Sequence, residues 1–204
     1  GAAREPPLQN YEEPLRQREA PPMKRIFLSG ILMALLLGLY AHPISGGQAM
    51  QLTSSAFKDG GKIPQHYVMP GAGGKNLSLP LTWSGAPAGT KSFALSIIDP
   101  HPVAHNWVHW LVADIPGGAA SLAEGASGQK MPQGAVELKN SWGKAAYGGP
   151  QPPQGTGDHP YVVTLYALSV AQLDLKPTAG WAELQQAMEG KILGRATITG
   201  YYGR

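Results

Sequence analysis

What most limits the fold of this chain is a series of short apolar runs, each closed off by glycine or proline. The runs fall at residues 77–83, 92–98, 107–115, 161–168 and 196–202, and they favour Val, Ile, Thr, Trp and Tyr. Segments of that length and composition read as β-strands. The 27 glycines and 19 prolines gather between them as turn punctuation, so a β scaffold with long loops is predicted. One segment carries a helical period instead: Trp181, Leu184, Met188 and Ile192 recur at spacings of three and four. Thr178 is the expected N-cap, with Gly190 or Gly194 near the end, and the helix is expected to lie as a lid on one sheet edge.

The run 107–115 is apolar at both parities, as in a central strand covered on both faces. Strict alternation places His109 with Trp107, Leu111 and Ala113, and Val108 with Trp110, Val112 and Asp114. A histidine buried there needs a hydrogen-bond partner or a cavity, because an unpaired buried polar group costs about 1–3 kcal/mol.

The N-terminal quarter reads differently. Residues 1–22 are rich in proline and glutamate with no apolar period, and are taken as upstream or linker sequence that cannot offset the entropy of ordering. Residues 23–49 have the layout of a secretory signal: Lys24 and Arg25, an apolar run from Ile26 to Leu39, then small residues ending at Ala49. That run is shorter than the ~20 residues a membrane-spanning helix needs. The expectation is cleavage after Ala49 and a periplasmic or secreted domain spanning 50–204.

There is no cysteine, so a disulfide framework, a thiolate zinc site, a cysteine nucleophile or a lipid-anchoring cysteine after the signal is not expected. The net charge of +3 is scattered, with no basic stripe to follow a phosphate backbone, and nucleic acid is excluded as a partner.

Polar and ionisable groups concentrate in two windows. The first holds Asp99, Pro100, His101, Pro102, His105, Trp107 and His109; the second runs from Tyr147 to Tyr161 and includes Gly148, Gly149, Pro152, Pro153, Gly155, Gly157, Asp158 and His159. Their order and spacing resemble the phosphatidylethanolamine-binding proteins, in particular the bacterial Raf-kinase-inhibitor-like branch. An Asp-Pro-Asp-x-Pro motif falls on Asp99 and Pro100, and Trp-x-His on Trp107 and His109. A Gly-x-x-Pro-Pro-x-Gly-x-Gly-x-His-Arg-Tyr motif with an upstream tyrosine falls on Tyr147, Gly149, Pro152, Pro153, Gly155, Gly157, His159 and Tyr161. Two positions depart from it: His101 replaces the second aspartate and Pro160 the arginine, a joint loss that leaves no orphan charge if the two pair in the family.

The resemblance implies an antiparallel β-sandwich with one or two short peripheral helices and an anion pocket walled by the two windows. The implied ligand is a phosphate-containing small molecule or phospholipid headgroup. The expected ligand-binding residues are Asp99, Trp107, His109, Tyr147, Gly149, Pro152, His159 and Tyr161. His109 and His159 can donate to an anion when protonated, which predicts affinity falling as pH rises through about 6.5. Asp99 can fix an imidazole tautomer, the Tyr147 or Tyr161 hydroxyl can donate, Trp107 supplies an apolar wall, and the glycines turn backbone N–H groups toward the ligand. His101 and His105 read as solvated loop residues.

No catalytic residue, metal or cofactor is expected. His105 and His109 on one strand would lie roughly 13 Å apart, too far to share one ion. Ser141, between Asn140 and Trp142, lacks the strand-to-helix elbow of a serine nucleophile. The alternative to a small-ligand binder is an interaction or inhibitor module that docks a protease or kinase-type target through the pocket rim, and peripheral membrane contact fits either reading.

Overall fold

The computed structural model describes residues 49–204; the stretch 1–22 and the leader as far as Gln48 lie outside the described residues. Within them the order is β1 (Gln51–Thr53), β2 (Leu81–Ser84), β3 (Ser92–Asp99), β4 (Trp107–Pro116), β5 (Ser121–Leu122), β6 (Val136–Leu138), β7 (His159–Leu168), α1 (Trp181–Met188) and β8 (Ile192–Tyr202), with 3₁₀ turns at Gln65–Tyr67 and Pro70–Ala72. All pairings between strands are antiparallel, in a small sheet β1-β2-β5 and a larger one β6-β4-β3-β7-β8.

The two sheets face each other. Leu52, Leu81 and Trp83 of the small sheet meet Phe93, Leu95, Ile97, Val112, Val163, Leu165 and Ile198 of the large one in a single core. Each such side chain contributes about 1.5–3 kcal/mol when fully buried. Strands β3 and β4 lie inside the large sheet and are buried on both faces, which is why their sequences read as continuous apolar runs.

The far face of the large sheet has its own core, in which Ala94, Val108, Leu111, Ala113, Leu138 and Leu168 pack against Leu184 and Met188 of α1. The helix therefore covers a sheet face and is not a lid on an edge. Its N-cap is Gly180 and not Thr178, and Glu183 accepts a hydrogen bond from the Gly180 N–H at 3.1 Å. It stops at Met188 because Gly190 takes a left-handed conformation, φ 69°. Ile192, in phase with the helical period, instead begins β8 and is 45 % exposed. β2 is also shorter than its apolar run, starting at Leu81.

One irregularity in β4 decides the geometry of the site. Ile97 pairs with Trp110 while Ile98 pairs with Val108, so His109 is an extra residue, a β-bulge. A second register shift lies between Phe93 and Leu95, opposite Ala113 and Asp114; Asp114 has φ 57° and accepts a hydrogen bond from the Leu173 N–H at 2.8 Å. The first bulge breaks the expected alternation. Trp110 and Val112 face the inter-sheet core while Val108, Leu111 and Ala113 face α1. His109 is turned to the same side as Trp110, against Tyr161, and away from Leu111 and Ala113.

Candidate functional site

A cavity of about 570 Å³ opens at the end of the large sheet where β3 stops and β7 starts. Asp99, the last residue of β3, and His159, the first of β7, lie on its floor with His109 and Tyr161. Its walls are Val103, Ala104, His105, Asn106 and Trp107 on one side, Ser141 and Trp142 on another, and Gln151, Pro152 and Pro153 on a third. The two sequence windows thus meet at one place. Of the predicted residues, Asp99, Trp107, His109, Pro152, His159 and Tyr161 line the cavity.

Tyr147 and Gly149 do not. The Tyr147 hydroxyl donates to the Tyr67 carbonyl at 3.0 Å beneath the site, and the Gly149 N–H donates to Asn76 Oδ1 at 2.7 Å. Gly148 and Gly149 serve close packing, Gly155 and Gly157 take left-handed conformations with open space around them, and none of the four lines the cavity as a phosphate nest. A Cβ on Gly149 would lie 2.1 Å from the Tyr67 carbonyl oxygen, and one on Gly148 would lie 2.5 Å from Trp142 Cζ3. The Gly148 N–H donates to the His109 carbonyl and the Gly155 N–H to the Arg204 carbonyl.

Asp99 and His159 form a buried pair, 2 % and 0 % exposed, with Nδ1 to Oδ2 at 2.6 Å. Asp99 Oδ1 also accepts from the His101 N–H at 2.9 Å. On the far side of the ring, Nε2 lies 2.9 Å from Thr156 Oγ1, which is itself 2.8 Å from the Pro153 carbonyl. A carbonyl only accepts, so Thr156 gives it its one proton and must accept from Nε2–H. His159 then donates at both nitrogens, as an imidazolium held by the Asp99 carboxylate, and has no donor left for a ligand. The His101 ring stacks on His159 at 3.8 Å, with its Nδ1 accepting from the Val103 N–H. His101 is therefore part of the site's frame and not a solvated loop residue, and a ring stack occupies the place of the family's second aspartate. His105 is exposed on the rim, with φ 50°.

His109 is held differently. Its Nδ1 lies 2.7 Å from the Gly148 carbonyl, to which it must donate. Burial holds its pKa down at about 4, against the opposing pull of the hydrogen bonds it donates to backbone carbonyls and of the Asp99 charge, so at neutral pH its Nε2 bears a lone pair. No hydrogen bond engages that nitrogen among the described residues, and the His109 side chain lines the cavity. The expected donor is thus an acceptor, and affinity governed by a histidine titrating near 6.5 does not follow from this arrangement. The Tyr161 hydroxyl, raised well above the usual phenol range by burial and then by Asp99, stays protonated and faces the same space.

The sequence reading passed over Trp142. It stands edge-on to Trp107 at 5.3 Å and to His109 at 5.2 Å, forming an aromatic wall. The signal for it was Asn140, whose Oδ1 accepts from the N–H groups of Trp142 and Lys144 and folds the loop back on itself. Ser141 Oγ accepts from the Val108 N–H at 2.9 Å and ties that loop to β4. Among the described residues no Lys or Arg lines the cavity, and no three His, Asp or Glu side chains are placed to hold a metal ion.

Residues 53–203 match the family model for phosphatidylethanolamine-binding protein. A UPF0098 protein of Aquifex aeolicus is 40 % identical over 162 residues, covering 78 % of this chain and 92 % of that one. A Mycobacterium tuberculosis protein named putative lipoprotein LppC is 39 % identical over 160 residues, covering 78 % and 75 %. The crystal structure of Escherichia coli YbcL, described as a new member of the mammalian PEBP family, superposes with a TM-score of 0.73 at 34 % identity, covering 77 % of this chain and 99 % of that one. The sandwich, the meeting of the two windows and these likenesses agree, and the chain belongs to the phosphatidylethanolamine-binding protein family.

Proposed function

We propose that this chain binds a small phosphate-bearing molecule, of the kind found in phospholipid headgroups, and does so without catalysis. The observation that carries the reading is the cavity itself: a polar floor of Asp99, His109, His159 and Tyr161 under an apolar wall of Trp107, Trp142, Pro152 and Pro153. A few convergent polar groups in an apolar recess of this size suit a small ligand. Binding without chemistry is supported by the state of the reactive groups: the paired histidine is engaged on both nitrogens, and Ser141 lies on a backbone-anchoring loop with no nucleophile elbow.

Isothermal titration of the domain with phosphate, phosphoethanolamine and acetate tests this. Saturable binding of the two phosphates, with acetate roughly tenfold weaker and Trp142→Ala weakening all three, is the expected result. No heat from either phosphate removes the reading.

Export belongs to the same proposal. The leader layout and the lipoprotein name of the mycobacterial relative support it, and an intact mass of exported protein beginning at Met50 is the outcome that fits. A second reading, docking of a protein target on the rim, is favoured by the exposure of Val103 (49 %) and Trp107 (38 %) at the cavity mouth. It calls for target binding that survives loss of the phosphate response.

A further inference from the structure

We propose that the cavity selects an oxyanion that still carries a proton, a hydrogen phosphate or a phosphate monoester whose P–OH donates to His109 Nε2, over sulfate or a phosphodiester. The inference rests on the phosphate reading above and narrows it to a free phosphate or a headgroup released as its monoester, since the phosphate of an intact phospholipid is a diester. It starts from the fixed tautomer. The Gly148 carbonyl takes the Nδ1 proton at 2.7 Å, so the nitrogen left facing the cavity is an acceptor. Trp142 at 5.2 Å and Tyr161 at 4.9 Å stand edge-on to the ring and hold it in that orientation.

The rest of the floor offers a fully ionised oxyanion little compensation. Among the described residues no Lys or Arg lines the cavity, His159 gives both N–H groups to Asp99 and Thr156, and His105, Asn106 and Gln151 stand in the walls and not on the floor. An ionised oxygen against Nε2 would set acceptor against acceptor in a buried place, beside the Asp99 carboxylate. A P–OH at the same point turns that repulsion into a hydrogen bond, while the Tyr161 hydroxyl donates to another oxygen. Sites that depend on one ligand proton discriminate strongly against analogues lacking it, because their own buried group is then left unpaired.

The titratable groups facing His109 are Asp99 from β3, His159 and Tyr161 from β7 and Tyr147 from the loop before β7, and His105, from the loop before β4, stands in the wall of the same cavity. Asp99 favours a charged ring and His159 opposes it, but burial is the largest influence and keeps the ring neutral to about pH 4. The proton that controls binding is therefore the ligand's. The second ionisation of a phosphate monoester lies near ~6, whereas sulfate and a phosphodiester have no proton to lose over the same range.

The test is isothermal titration of the domain with inorganic phosphate, phosphoethanolamine, glycerophosphoethanolamine and sulfate at constant ionic strength, from pH 5.5 to 8. Phosphate and the monoester should bind at least about tenfold more tightly than sulfate or the diester at pH 6. Above the ligand's own pKa their affinity should fall by roughly tenfold per pH unit, while that of sulfate stays flat. Tyr161→Phe should weaken every oxyanion by a similar factor and leave the phosphate-to-sulfate ratio unchanged. Sulfate or the diester matching phosphate overturns the selectivity and leaves the phosphate site standing. Affinities for phosphate and sulfate climbing together as pH falls from 8 to 5.5 overturn it too, by making the ring a charged donor. If none of the four binds, the phosphate reading falls and this inference with it.

Discussion

Removing the His159 ring should cost more than removing the charge of its partner. In His159→Ala, the Asp99 carboxylate, 2 % exposed, keeps only the His101 N–H. Breaking one side of a buried ion pair costs about 3–5 kcal/mol, and the lost stack with His101 works in the same direction. Asp99→Asn behaves differently. The amide can still accept from the His101 N–H and can donate to His159 Nδ1, which becomes a lone pair, while Nε2–H continues to Thr156. Every hydrogen bond of the chain is kept, but the second N–H of the amide is left without a partner in a buried place, so the cost should be about 1–3 kcal/mol, below that of His159→Ala. The double variant should recover about 2 kcal/mol relative to His159→Ala, since no orphan charge remains. For a domain of this size, 3–5 kcal/mol lowers Tm by roughly 6–20 °C. Urea unfolding followed by tryptophan fluorescence, at unchanged m, gives all four corners of the cycle. A double variant no more stable than His159→Ala would refute the argument that the pair is held by charge.

Two other outcomes follow from the same geometry. The unfolded His109 imidazole takes up a proton below about 6.5, while the folded ring does so only near 4. Stability from this group is complete above pH 6.5 and is lost as pH falls through that window, by roughly 3 kcal/mol in all. The advantage of the wild type over His109→Gln should shrink by that amount between pH 7 and pH 4 in denaturant titrations; a constant gap contradicts the buried neutral ring. Gly149→Ala puts a methyl 2.1 Å from the Tyr67 carbonyl oxygen and 2.9 Å from Val68 Cα. Overpacking against backbone costs about 1–3 kcal/mol or more, so a Tm within a degree of wild type would show that the loop gives way easily.

Much of the framework was legible because burial on two faces leaves a compositional trace. β3 and β4 are inner strands, and their runs of Val, Ile, Leu and Trp could be read without coordinates. The short strands β1, β5 and β6 carry too few residues for such a trace. The helix misled at its end, because Ile192 continues the period while Gly190 stops the backbone. Periodicity records which residues are apolar, and a left-handed turn overrides it. The family motifs located the cavity but could not separate residues that line it from residues that shape it. Gly149 and Tyr147 belong to the second group, and only the Tyr67 carbonyl lying against both shows why.

The least legible feature is also the one with the most chemical consequence. A bulge adds one residue to a strand and leaves no mark in composition, yet at His109 it moves the imidazole from the α1 face of the sheet to the cavity. The ring's tautomer is then set by a carbonyl 39 residues further along the chain. Neither the register nor that contact can be inferred from local sequence, because both are products of tertiary pairing. A motif can name a histidine; whether it donates or accepts depends on what the fold has already bonded to its other nitrogen. Here both histidines of the cavity floor are committed, His159 twice as a donor and His109 once, and on that floor only one ring nitrogen is free. The one ring nitrogen left for a guest is an acceptor, so the guest must bring the proton.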